Sequence, residues 1–170
     1  CIKERAIAAP GASWANYGEA EALAIAIGKN GVAKATIAAL AELSQDDTWA
    51  ARLCATIDHY NVACQMYDDL LDWKQDLADA IPSLVLARIV SDPSAAPSHK
   101  ELAKALYYDG HACAVLDLAL TALEQAEQLL ADGPQSLWRQ VIAKKQRSCA
   151  ALRADIEQIV AKHRSQASQT

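Results

Sequence analysis

The sequence predicts an all-α fold, and three features carry that expectation. Of the 170 residues, 52% are hydrophobic, and much of that share is alanine and leucine, both strong helix formers. Apolar positions recur at helical spacing along the chain, and no stretch sustains the two-residue alternation of a strand. Helix breakers are scarce, at six Gly and five Pro. The length suffices for one domain with a real core and is short for two. Residues 1–170 therefore read as a single helical domain of five or six main helices.

Each element has its own local cues. Ser13 caps a helix over residues 13–28, with Trp14, Leu23, Ile25 and Ile27 as apolar contacts. Gly28 and Gly31 bracket a weak point before a second stretch that ends at Leu43. The run SQDD then places capping and acidic residues at the start of a long helix over 46–80. At about 1.5 Å per residue this helix spans roughly 50 Å, which suits the central helix of a large bundle. Pro82 opens a short helix over 82–90, and the segment SDPSAAPS is a loop by composition. A further helix covers 99–131, with an interruption expected at Asp109 and Gly110. Gly133 and Pro134 close it, and the last helix covers 135–164 before a frayed tail.

Composition narrows the partners. The formal net charge of −5 provides no basic patch, which disfavours nucleic acid. The five cysteines lack CxxC spacing, so free thiols in a reducing cytoplasm are expected in place of a zinc site or a disulfide framework. No apolar run reaches the roughly 18 residues of a membrane span. The nearest candidate, residues 22–43, carries Lys29, Lys34 and Glu42. No secretory signal pattern is visible. The chain begins at Cys1, and its first residues read as the end of something, which suggests a fragment, a processed product or an engineered piece.

The long helix carries the candidate chemistry. At roughly 100° per residue, Asn61, Gln65, Asp68 and Asp72 fall within about 60° of one another. Asp58 and Asp76 flank that stripe, Asp69 lies just beyond it, and Val62, Ala63, Met66, Leu70, Trp73 and Leu77 occupy the opposite side. Aspartates at i, i+1 and i+4 repel one another, and in a partly buried cavity they need cations or must protonate. Magnesium takes one or two carboxylates, keeps several waters and completes its shell with substrate phosphates. Carboxylates one helical turn apart suit such a partly open site. The bland alternative is a solvated acidic face, because the bare DDxxD pattern is common. Gln65, the stripe through Asn61 and the apolar character of the helix favour a metal site.

The stretch HYNVACQMYDDLLDWKQDL resembles the second aspartate-rich motif of trans-isoprenyl diphosphate synthases, Q-x-x-D-D-x-x-D on a long helix. Gln65, Asp68, Asp69 and Asp72 match it position by position. Upstream, KNGVAKATIAAL resembles the helix-breaking K-T-G or K-T-A element of that family, with Lys29 at its diphosphate-binding lysine, Gly31 at its glycine and Asn30 in place of threonine. The resemblance covers residues 13–90 or so, and helical character alone continues it to the end. It implies an isoprenoid-synthase-like helical bundle and Mg2+-dependent ionisation of an allylic prenyl diphosphate. In that reading Lys29 holds diphosphate oxygens, Asp68 and Asp72 bind metal, Asp69 assists directly or through water, and Gln65 orients the cluster. Asn61 and Asp76 line the cavity or orient its other groups.

The departures are specific. The family's first DDxxD motif and the N-terminal basic residues that hold isopentenyl diphosphate have no counterpart. Nor does its second diphosphate-binding lysine, because Pro82 follows Asp72 closely. The chain thus resembles the C-terminal half of such an enzyme, with an N-terminal half or partner chain expected to carry the other aspartates. Asp68, Asp72 and Asp76 also share the i, i+4, i+8 spacing of the metal triad in terpene cyclases, which leaves elongation and cyclisation both open. A non-catalytic helical subunit that modulates a complete synthase is the competing function. Whether it forms homo- or hetero-oligomers is left open.

Other residues read as structural. His59, His99, His111 and His163 form no HxxxH or ExxH pair, which disfavours a di-iron bundle. His59 reads as satisfied or solvated, and Trp73 and Trp138 as core contacts. Tyr60 and Tyr67 are split between packing and cation–π stabilisation of a carbocation. Lys144, Lys145, Arg147 and Arg153 default to a solvated face of the last helix, although the resemblance also implies that the C-terminus can close the diphosphate site.

Overall fold

The structure, a computed structural model, describes residues 17–45, 47–90, 98–131 and 136–167. The expected cap at Ser13, the Trp14 contact, the loop over 91–97, the Gly133-Pro134 break and the final tail residues lie outside that set. Every regular element among the described residues is helical: α1 Glu19–Gly28, α2 Gly31–Ser44, α3 Asp47–Ala78, α4 Leu84–Ile89, α5 His99–Tyr108, α6 His111–Leu129 and α7 Leu137–Ala167.

Among the described residues the helix count exceeds the expected five or six, because both suspected weak points are true breaks. At Lys29 and Asn30 the chain bends by 55° between α1 and α2. At Gly110 the backbone takes φ 86°, a left-handed conformation that glycine adopts without the steric penalty other residues meet. That residue separates α5 from α6. Ser98 opens α5 with a capping box, its hydroxyl accepting from the Glu101 N–H at 3.3 Å while the Glu101 carboxylate accepts from the Ser98 N–H at 2.9 Å.

The long central helix is present at 32 residues, slightly shorter than its expected span. It packs most extensively on α6, which in turn packs on α7. The seam is built largely from small side chains. Ala63 of α3 and Ala112, Ala119 and Ala126 of α6 are fully buried, which permits close approach of the helix axes. Larger residues fill the remaining space, with Met66, Leu70 and Trp73 of α3 meeting Val115, Leu116 and Leu123 of α6 in one core. The expected apolar side of α3 is thus the buried one. A smaller cluster joins Ile37 and Ala41 of α2 to Ala50 of α3, with Trp49, Leu53 and Ile57 against it.

After α3 the chain reverses sharply. Ala80 takes φ 53° and the Ile81 N–H bonds back to the Asp76 carbonyl at 2.8 Å. Ser83 then caps α4 by accepting from the Leu86 N–H at 3.3 Å. The reversal lays Ile81 and Pro82 back over the acidic part of α3. No single helix among the described residues is long and apolar enough to cross a membrane, although α1 and α2 together reach that length and composition across their bend.

Candidate functional site

The bend between α1 and α2 is fastened to the polar stripe of α3 by three rungs. Lys29 Nζ donates to Gln65 Oε1 at 2.5 Å, Asn30 Nδ2 donates to Asn61 Oδ1 at 2.6 Å, and Lys34 pairs with Asp58. Successive rungs step about one turn down α3 as the other strand of the contact climbs from α1 into α2. Part of the polar stripe is therefore used in helix–helix packing. Asn61 belongs to that part, since it grips Asn30 and does not line the cavity described next.

Lys29, Gln65, Asp68, Asp69, Asp72 and Asp76 line a single cavity of about 230 Å³, together with Tyr17, Ile25, Ile81 and Pro82. That volume accommodates several water molecules or a small polar group. One lysine thus faces four carboxylates across a space open to solvent. Nothing in the sequence assigns Tyr17, Ile25, Ile81 or Pro82 to this cavity, and Ile25 and Pro82 read there only as a helix contact and a helix start. Ile81 and Pro82 arrive through the tight reversal after α3, and no local pattern announces such a return.

The carboxylates are not equivalent. Asp68 is 62% exposed, and Asp72 is also exposed. Asp69 points inward and is 4% exposed. It accepts from Gln65 Nε2 and from the Leu84 N–H at 3.2 Å. Burial pushes its carboxyl up to about 6, although the Gln65 and Leu84 donors and the Lys29 charge favour the ionised form. Burial also raises Asp76, and the like charges of Asp72 and Asp79 add to that shift. Gln65 is the pivot of the arrangement, accepting from Lys29 on one side and donating to Asp69 on the other. A continuous hydrogen-bonded line therefore runs from the end of α1, across α3, to the first turn of α4.

Among the described residues no three carboxylate, thiol or imidazole groups converge closely enough to hold a metal by themselves. The donor set that remains is Asp68 and Asp72, one turn apart, exposed and on the same cavity wall. It fits a hard cation that keeps waters and takes further oxygens from an anionic ligand, and does not fit a closed all-protein cage. Asp69, with both oxygens already engaged, fits a role in positioning this wall.

The basic residues of the last helix, grouped together in the sequence, separate in space. Lys144 and Arg147 are exposed, and Arg153 pairs with Asp117 at 2.6 Å. Lys145 reaches α3 instead, 4.0 Å from Asp68 Oδ1 and 4.2 Å above the Tyr67 ring. Tyr60 stacks edge-on against Trp138 at 4.8 Å, and its hydroxyl is pushed up to about 12, chiefly by burial. Compared with known proteins, the chain matches no family model, no curated protein and no solved structure.

Proposed function

We propose that this chain binds a prenyl diphosphate together with Mg2+ and serves the ionisation of its allylic C–O bond, in an isoprenoid-synthase-like bundle. The convergence of Lys29, Asp68 and Asp72 on one cavity supports this reading most directly. Lys29 lies far from the two aspartates in sequence, and each of the three is the type that diphosphate and a hard cation require.

Heterolysis of an allylic C–O bond leaves an allylic cation and a diphosphate anion. The Lys29 ammonium, held at the cavity wall by Gln65, would donate to diphosphate oxygens. Asp68 and Asp72 would hold Mg2+, which supplies Lewis-acid neutralisation of the leaving group when bound. Gln65 and Asp69 keep Lys29 and the acidic helix in register. The cation then meets a second prenyl unit in chain elongation, or its own double bonds in cyclisation. The unpaired thiols of Cys54, Cys64, Cys113 and Cys149 accord with a cytoplasmic setting.

A second reading, a non-catalytic helical partner of a complete synthase, is favoured by one feature. Among the described residues, carboxylates line one wall of the cavity and no second acidic helix faces them.

Calorimetry with pyrophosphate and Mg2+ tests the binding step. Wild type should give Mg2+-dependent heat, while Asp68→Ala abolishes the metal-dependent part and Lys29→Gln weakens pyrophosphate binding at least about tenfold. Equal heats for wild type and Asp68→Ala would refute the assignment.

A further inference from the structure

Lys145 stands apart from the other basic residues of α7. Its side chain is 17% exposed, against 62% for the Asp68 carboxylate it approaches. Its ammonium lies 4.2 Å over the Tyr67 ring, and its charge acts on the neighbouring Cys64 thiol, favouring the ionised form against burial. A lysine tucked this far into a helix seam has fixed neighbours, and three of them lie on α3 within about one turn. It does not line the cavity that holds Lys29. Asp68 therefore borders the cavity that Lys29 also lines and, outside that cavity, meets Lys145.

We propose that Lys145 is a positioning residue for Asp68, an internal counter-ion that draws this carboxylate toward α7 and so limits how strongly the cavity attracts a divalent cation. This rests on the reading of Asp68 as a magnesium ligand. The Lys145 ammonium and the divalent ion use the same carboxylate. At 4.0 Å the ion pair is loose, and Asp68 is largely solvated, so an incoming cation can draw the carboxylate away. The Tyr67 ring keeps the ammonium in place when it does. Lys145 thereby opposes premature filling of the site by the cation alone and favours its arrival with an anionic ligand, whose charge offsets the nearby ammonium.

The test is Mn2+ binding to the whole chain, with free Mn2+ followed by electron paramagnetic resonance. Lys145→Gln should tighten Mn2+ binding about threefold to tenfold, the size expected for loss of one nearby positive charge. Lys145→Arg should restore wild-type affinity, and Lys144→Gln, on the exposed face beside it, should leave affinity unchanged. In an Asp68→Asn background, Lys145→Gln should have no effect. Wild-type affinity in Lys145→Gln, or the same gain in the Asp68→Asn background, overturns the inference while leaving the metal site intact. Mn2+ binding unchanged by Asp68→Asn alone overturns the metal reading itself, and this inference with it.

Discussion

The Asp69 carboxylate accepts the Leu84 N–H at 3.2 Å, and so joins the C-terminal half of the 32-residue helix α3 to the first turn of α4. Asp69 is the one aspartate of the DDxxD run that is buried, and its other oxygen takes the Gln65 amide. A helix N-terminus leaves its first N–H groups without intrahelical partners. Here a carboxylate fifteen residues upstream supplies one of the acceptors. That contact fixes the reversal which brings Ile81 and Pro82 over the cavity.

Removing this acceptor should cost stability. Asp69→Ala leaves the Leu84 N–H and the Gln65 amide without their buried partner, and is expected to destabilise by about 2–4 kcal/mol. Asp69→Asn keeps an acceptor for Leu84 and should cost much less. Urea unfolding of the two variants checks the ordering, and equal losses would show that burial, not the hydrogen bonds, dominates.

The same residue sets a pH dependence. The folded-state carboxyl is pushed up to about 6, whereas an unfolded aspartate titrates near about 3.9. Between those values the folded state holds the extra proton, so stability should fall as pH rises through the window and level off above it. Asp76, also raised, contributes with the same sign. Denaturation midpoints measured across this range with a chelator present should decline, and Asp69→Asn should flatten the decline. A midpoint that rises with pH in wild type but not in Asp69→Asn would contradict the burial argument.

The seam between α3 and α7 offers an independent check. Trp138 Nε1 donates to Thr56 Oγ1 at 2.9 Å, and Thr56 is fully buried. Thr56→Val preserves shape but strands the indole donor, with an expected loss of about 1–2 kcal/mol. Thr56→Ser, which keeps the hydroxyl, should bring back the hydrogen bond and lose only the methyl contacts. A shift in the urea midpoint no larger for valine than for serine would show that this bond contributes little.

Turnover by the 170-residue chain alone should be close to background with geranyl, farnesyl or geranylgeranyl diphosphate, even with Mg2+ present. The reason is electrostatic. In the proposed reaction a diphosphate leaving group would carry about three negative charges, and loss of one stabilising interaction at a developing charge typically costs about 2.7–4 kcal/mol. A single acidic wall and Lys29 leave much of that charge uncompensated. Activity should appear when a fragment or partner bearing a second aspartate-rich motif is added. Robust turnover by this chain alone would contradict that expectation and the non-catalytic reading together.

The helical class, the long central helix, the weak points at Gly28–Gly31 and at Gly110, and the apolar side of α3 were all legible in the sequence. These follow from local propensity and from the period of 3.6 residues, which act along one segment at a time. The tertiary structure decided what the polar stripe does. Asn61 and Asp68 lie on the same helical face by angle, yet Asn61 grips Asn30 while Asp68 borders the cavity and meets Lys145. Asp69, placed by angle just outside the stripe, is buried because Leu84 and Gln65 supply the hydrogen bonds its carboxylate needs away from water. Helical angle says which way a side chain leaves its own helix. Burial and partners depend on which other helices arrive there, and they come from segments distant in sequence, brought in by packing of the core.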